Sequence, residues 1–198
     1  MFAYIKGSLE ENTSIYVVID VSGIGYKIFM SANSINTIGV LGNIVKVHTH
    51  YYVREDNISL YGFLSNEELK MFELLLSVSG IGAKSAISML SNITPSDFAL
   101  AIITNNVSAL TKIPGIGAKS AQRIILELKD KLKDTENVSK AEENNKQENN
   151  ENMKDALDAL QILGYNKKEI EKVLGKLELE DMSTENIIKN ALKYLSRN

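Results

Sequence analysis

Residues 78–90 read Val-Ser-Gly-Ile-Gly-Ala-Lys-Ser-Ala-Ile-Ser-Met-Leu, and residues 113–125 read Ile-Pro-Gly-Ile-Gly-Ala-Lys-Ser-Ala-Gln-Arg-Ile-Ile. Seven residues, Gly-Ile-Gly-Ala-Lys-Ser-Ala, thus occur twice, starting at Gly80 and again 35 positions later at Gly115. Each copy lies between two segments of helical apolar period, so each spells helix, glycine turn, helix. Glycine lets the backbone turn sharply and approach a ligand closely, and the helix that follows offers unpaired N–H groups at its positive end. The combination is an anion cradle. Lys84 and Lys119, two residues after the second glycine, add a full charge, and Ser85 and Ser120 add hydroxyl donors. The first cradle comprises Gly80, Ile81, Gly82, Lys84 and Ser85; the second comprises Gly115, Ile116, Gly117, Lys119 and Ser120, with Arg123 one turn beyond Lys119. The two isoleucines are placed to anchor their turns in a core. Two like cradles suit two phosphates on the two strands of a duplex, and such contacts follow backbone shape and ignore base sequence. A third Gly-Ile-Gly, residues 23–25, precedes a strand-like run, so it reads as a β-turn without a phosphate role.

Upstream the period is two. Residues 15–21 and 45–53 alternate apolar and polar, and Phe2–Gly7, Tyr26–Met30 and Ile58–Phe63 are further β-rich runs. Five strands within 1–64, with a short helix near Ser34–Ile38 between the third and fourth, fit a five-stranded β-barrel of OB type; a small sandwich or SH3-like barrel also fits. From Ser65 the period is helical: Ser65 with Glu68 makes a capping box, and Thr94-Pro95 followed by Asp97 opens another helix. Residues 65–133 therefore form the tandem hairpin domain. Residues 134–152 hold six Asn and six acids, with only Val138 and Ala141 apolar, and read as a disordered linker. Beyond it, Met153–Leu163, Lys167–Leu177 and Thr184–Ser196 make a three-helix bundle over 153–198, with Gly164 ending the first helix and Asn166 capping the second. The Ile162-Leu-Gly-Tyr165 turn looks like the loop of a ubiquitin-associated-type domain and fits a plain structural turn equally. The fold class is multidomain α+β.

The 198 residues include no cysteine, which excludes disulfides and thiolate chemistry, and the formal net charge is −3. That charge is uneven: −1 over 1–64, +2 over 65–133, −4 over 134–152 and 0 over 153–198. The repeat-bearing segment alone is basic. The N-terminus lacks a basic segment followed by an apolar run, and no apolar stretch approaches the roughly 18 residues of a membrane span, so a cytoplasmic protein with no membrane contact is expected. No Walker loop, dinucleotide fingerprint or His-Glu-x-x-His is present. His48 and His50 share a strand face but have no further His or Cys to complete a metal set. Arg54-Glu55-Asp56-Asn57 joins the last two strands as a solvated tip whose carboxylates lack a partner acid or base. The chain reads as a binder that uses no cofactor and no metal.

Barrel, tandem glycine hairpins, linker and three-helix tail, in that order, resemble the RuvA family, the Holliday-junction-binding subunits of the bacterial branch-migration complex. The resemblance spans the whole chain. It is most specific at Tyr52-Val53-Arg54-Glu55-Asp56 followed by Leu60-Tyr61-Gly62-Phe63, and at Ile113-Pro114-Gly115-Ile116-Gly117 followed by Lys119. It implies a homotetramer, with pairing into an octamer as a further form, that holds a four-way junction open and nearly planar in recombination, DNA repair and the SOS response. It also implies that Glu55 and Asp56 are an acidic pin, repelling phosphates at the crossover so that the centre stays open. Residues 153–198 would engage a RuvB-type hexameric ATPase, with a RuvC-type resolvase as a further partner, and the chain itself would not be an enzyme.

The rival class is a DNA glycosylase with lyase activity, which uses a similar hairpin and would make Lys119 a nucleophile. Such an enzyme needs an essential Asp further on, and here Glu127-Leu-Lys-Asp-Lys131 continues as a charged helix towards the linker. A protein adaptor acting through the tail alone would leave the repeat without a purpose.

Overall fold

The computed structural model describes residues 2–55, 57–136, 149–177, 179 and 182–195. They fall into two compact units, 1–76 with 82–92, and 77–81 with 93–198.

The first unit contains β1 (Tyr4–Asn12), β2 (Tyr16–Val21), β3 (Ile24–Phe29), α1 (Ala32–Thr37), β4 (Ile44–Val53) and β5 (Ile58–Phe63). The strands close into a barrel in the order β1-β2-β3-β5-β4. Every pairing is antiparallel except β3 with β5, which meet at Phe29 and Tyr61. The period-two residues Val17, Ile19, Val45 and Val47 face inward with Ile5, Leu9 and Ile28 to form the core. The sequence placed β3 at Tyr26, two residues late. Ser22 and Gly23 both have positive φ, 56° and 88°, which makes the two-residue hairpin turn that keeps pairing intact up to Val21 and Ile24. Of the third Gly-Ile-Gly, Gly23 lies in that turn, while Ile24 and Gly25 open β3. The short helix also starts earlier than expected, at Ala32, because the Ser31 side chain accepts the Ser34 N–H at 3.2 Å.

α2 (Asn66–Leu76) packs on β4, β5 and α3 (Ala83–Leu90). Its Phe72 is fully buried, with its ring centroid 5.1 Å from Tyr61, 4.9 Å from Phe63 and 5.3 Å from His50. Ser65 caps α2 by accepting the Glu68 N–H, but the expected return bond is redirected: the Glu68 carboxylate takes the Leu64 N–H and the Ser34 hydroxyl.

The second unit holds the first glycine turn and α4 (Pro95–Ile103), α5 (Val107–Thr111), α6 (Ala118–Glu136), α7 (Asn149–Ile162), α8 (Lys167–Leu174) and α9 (Thr184–Leu195). α4 starts where expected: Thr94 accepts the Asp97 N–H and Pro95 occupies the first turn. No residue from Pro95 to Ile103 is exposed. α5 and α6 pack against α4, and so do α7 and α9, which explains why its sequence is apolar around most of its circumference. Lys129 of α6 donates to the Ile103 carbonyl at 2.7 Å and so satisfies one of the last acceptors of α4.

Helix enters both ends of the stretch read as a linker, since α6 reaches Glu136 and α7 starts at Asn149, four residues before Met153. Residues 137–148 lie outside the described residues. α8 stops at Leu174, short of Leu177, because Gly175 donates back to Glu171 and Lys176 to Val173. At the Ile162–Tyr165 turn, Gly164 has φ 79° and the Tyr165 N–H bonds the Leu160 carbonyl, the bonds of a helix C-terminus.

Candidate nucleic-acid interface

The second glycine turn lies wholly within one unit. Pro114 fixes φ at the second residue of the turn, Gly115 takes φ 84°, and the Ile116 N–H closes the turn on the Ile113 carbonyl at 3.1 Å. Ile113 and Ile116 are buried, so the turn is nailed to the core by its apolar ends. The first helical bond of α6 runs from the Ala121 N–H to the Gly117 carbonyl, leaving the amides of Ala118, Lys119 and Ser120 ahead of the ladder. Lys119 is exposed beside them.

The first turn has the same form. Gly80 has φ 83° and the Ile81 N–H bonds the Val78 carbonyl at 3.1 Å. Val78 is buried. Ile81 is only half-buried, so it anchors less than Ile116 does. In both copies the isoleucine amide closes the turn and is not offered outward. α3 begins from Gly82, and its first bond, Ala86 N–H to Gly82 carbonyl, leaves the amides of Ala83, Lys84 and Ser85 ahead of the ladder. Lys84 and Ser85 are exposed.

The glycines differ in what they require. Gly80 and Gly115 need their left-handed φ. Gly82 and Gly117 have no such φ, and a Cβ at either would meet nothing within 4 Å. The protein's own packing therefore gives no reason for glycine at these two positions.

Arg123 is not confined to the second cradle. It is exposed on α6, and its Nη1 lies 3.4 Å from where a Gly80 Cβ would be, which brings it to the first turn. One helical turn further along α6, Glu127 accepts the Ser79 N–H at 3.0 Å. Glu127 was not among the residues the motif singled out, because the repeat pattern ends before it.

At the β4–β5 tip, Arg54 N–H bonds the Asn57 carbonyl at 2.8 Å, closing the hairpin with Glu55 exposed. Asp56 lies outside the described residues. Arg54 folds back along its strand, its Nε donating to the Tyr52 hydroxyl at 2.8 Å. Among the described residues no group of three His, Asp or Glu could hold a metal. His50 instead pairs with Glu73 through Nδ1 at 3.0 Å.

A closed OB-type barrel followed by two matched glycine-turn hairpins defines a protein of the tandem helix-hairpin-helix class. Residues 1–62 match the model of the RuvA N terminal domain, 72–130 that of the SAM-like helix-hairpin-helix tandem, and 151–196 that of the RuvA C-terminal domain. The chain is 52% identical over 201 residues to the Holliday junction branch migration complex subunit RuvA of Acetivibrio thermocellus, with all of both chains covered. It is 46% identical over 199 residues to the protein of that name in Ruminiclostridium cellulolyticum, covering 98% of this chain and 100% of the relative, and 45% identical over 202 residues to that of Clostridium perfringens strain SM101, covering all of both. The chain belongs to the RuvA family.

Proposed function

We propose that this chain binds four-way DNA junctions without regard to base sequence, holds them open, and recruits a hexameric RuvB-type ATPase that drives branch migration in recombination and repair. The observation that carries this is the pair Gly82 and Gly117: open space and ordinary φ at both, each followed two residues on by an exposed lysine at the start of a helix. A phosphate oxygen held by backbone amides must come closer than a Cβ would allow, and it is recognised identically whatever base it carries. The relatives' shared name, subunit of the Holliday junction branch migration complex, supports the same substrate and the same machine.

In this proposal Gly80, Gly82, Lys84, Ser85, Gly115, Gly117, Lys119, Ser120 and Arg123 face phosphates, and Glu55 with Asp56 is the acidic pin at the crossover. The chain works as a tetramer in the cytoplasm, alone or paired as an octamer, and performs no chemistry itself. Residues 153–198 carry the ATPase contact, and a RuvC-type resolvase joins the same junction.

The test is a gel-shift comparison of a four-way junction with linear duplex of the same arm sequences under excess competitor. Preferential retention of the junction is expected. Equal affinity for the two would overturn the proposal.

A further inference from the structure

The two glycine turns have one difference with a structural counterpart. Aligned on the repeat, position 114 is proline and position 79 is serine. Pro114 presets φ at the second turn residue and has no N–H to satisfy. Ser79 has neither property: its φ is free to vary in the unfolded turn, and its N–H, on an exposed residue, is left to water unless a side chain takes it. The Glu127 carboxylate, reaching from α6, takes that N–H at 3.0 Å. On the same helix face, four residues earlier, Arg123 comes to Gly80.

We propose, resting on the junction-binding function above, that Glu127 is a positioning residue for DNA binding. By holding the Ser79 N–H it locks the first glycine turn onto α6, supplying through a charge-assisted hydrogen bond the rigidity that Pro114 supplies covalently in the second. The lock keeps Gly80 beside Arg123, so that the guanidinium and the turn meet one phosphate together. An acid is thereby placed in a phosphate-binding region at a Coulombic cost, which its hydrogen bond to the turn outweighs.

Charge and position make opposite predictions. If Glu127 merely repels DNA, Glu127→Gln and Glu127→Ala should strengthen binding alike. If it positions the turn, Glu127→Gln, which keeps an acceptor oxygen of the same reach, should bind junctions at least as well as the natural protein. Glu127→Ala should bind on the order of tenfold more weakly, the scale of one hydrogen bond to a charged group, with a salt slope lower by about 0.9 for one lost phosphate. Adding Ser79→Pro to Glu127→Ala presets φ as Pro114 does and stiffens the turn without the carboxylate, so it should restore binding.

The experiment uses the full chain. Junction affinity is measured against salt for the four proteins, and the exchange rate of the Ser79 amide is measured without DNA. Fast exchange in Glu127→Ala with slow exchange in Glu127→Gln, together with rescue by Ser79→Pro, establishes the role. Equal exchange in both variants, equal affinity changes in both, or absence of rescue overturns it. Failure of the natural protein to prefer junctions over duplex, with the exchange pattern as expected, would instead count against the proposed function and leave the lock on the turn standing.

Discussion

The Glu68 carboxylate accepts the Ser34 hydroxyl through both oxygens, at 3.1 and 3.0 Å, and takes the Leu64 N–H at 3.1 Å as well. Ser34 is 1% exposed and already accepts from Ser31. One acid therefore holds the short barrel helix, the strand exit and the start of α2. Glu68→Ala should cost about 2–3 kcal/mol, the scale of leaving buried partners of a charged group unpaired, and Glu68→Gln distinctly less. Urea unfolding curves of the three proteins measure this; a cost under about 0.5 kcal/mol for Ala would contradict it.

Gly82→Ala and Gly117→Ala separate folding from binding. A methyl group at either position meets open space, so stability should change by no more than about 1 kcal/mol, the scale of a cap substitution. Junction affinity should fall roughly tenfold or more, because the methyl displaces a phosphate from its amide donors. Gly115→Ala should behave differently, losing about 1–2 kcal/mol of stability to its left-handed φ of 84°.

Changing Lys84 and Lys119 together to Ala should weaken binding to junctions of unrelated sequence by the same factor. The slope of log affinity against log salt should drop by about 1.8 if each lysine neutralises one phosphate. A loss confined to one base sequence would show that these lysines read bases.

Burial, with help from Lys46 and against an opposing pull from Glu67, holds the His48 imidazolium below the ordinary histidine range. The unfolded chain takes up this proton near pH 6.5 and the native barrel only at lower pH. Between those values the unfolded state binds more protons, so stability should fall as pH drops through about 6.5 and level off below the native value. His48→Gln should lose less stability than the natural protein between about pH 7.5 and about pH 5. Parallel losses would remove His48 from the account.

A chain ending at Lys133 should keep junction affinity and lose stimulation of the RuvB-type ATPase, while the full chain retains both. It should also bind more of an apolar dye, because α7 and α9 no longer cover α4. ATPase stimulation equal to that of the full chain would move the motor contact out of the tail.

What was legible in the sequence was local. A repeated glycine motif specifies its own turn, as Gly80 and Gly115 confirm with φ of 83° and 84°, and Thr94-Pro95 specifies a helix start within one turn, Thr94 accepting the Asp97 N–H. Alternation found β2 and β4 because alternate residues there, Val17 and Ile19, then Val45, Val47 and Thr49, are buried. What escaped depends on distance along the chain. Glu68 bonds Ser34 across 34 positions and Glu127 bonds Ser79 across 48, and no period in the sequence encodes either meeting. The start of α7 was missed because Asn149 and its neighbours are polar, and apolar periodicity registers a helix only where it buries a face.

The ring of strands is fastened unevenly: among the described residues β3 and β5 meet at the one pair Phe29 and Tyr61, while each of the other four seams is registered over several pairs. The two aromatic rings lie 5.8 Å apart across that seam, so side-chain packing carries there what a backbone ladder carries elsewhere. A barrel built this way opens first at its narrowest fastening, and a change at either ring acts on the whole circumference, not on one strand.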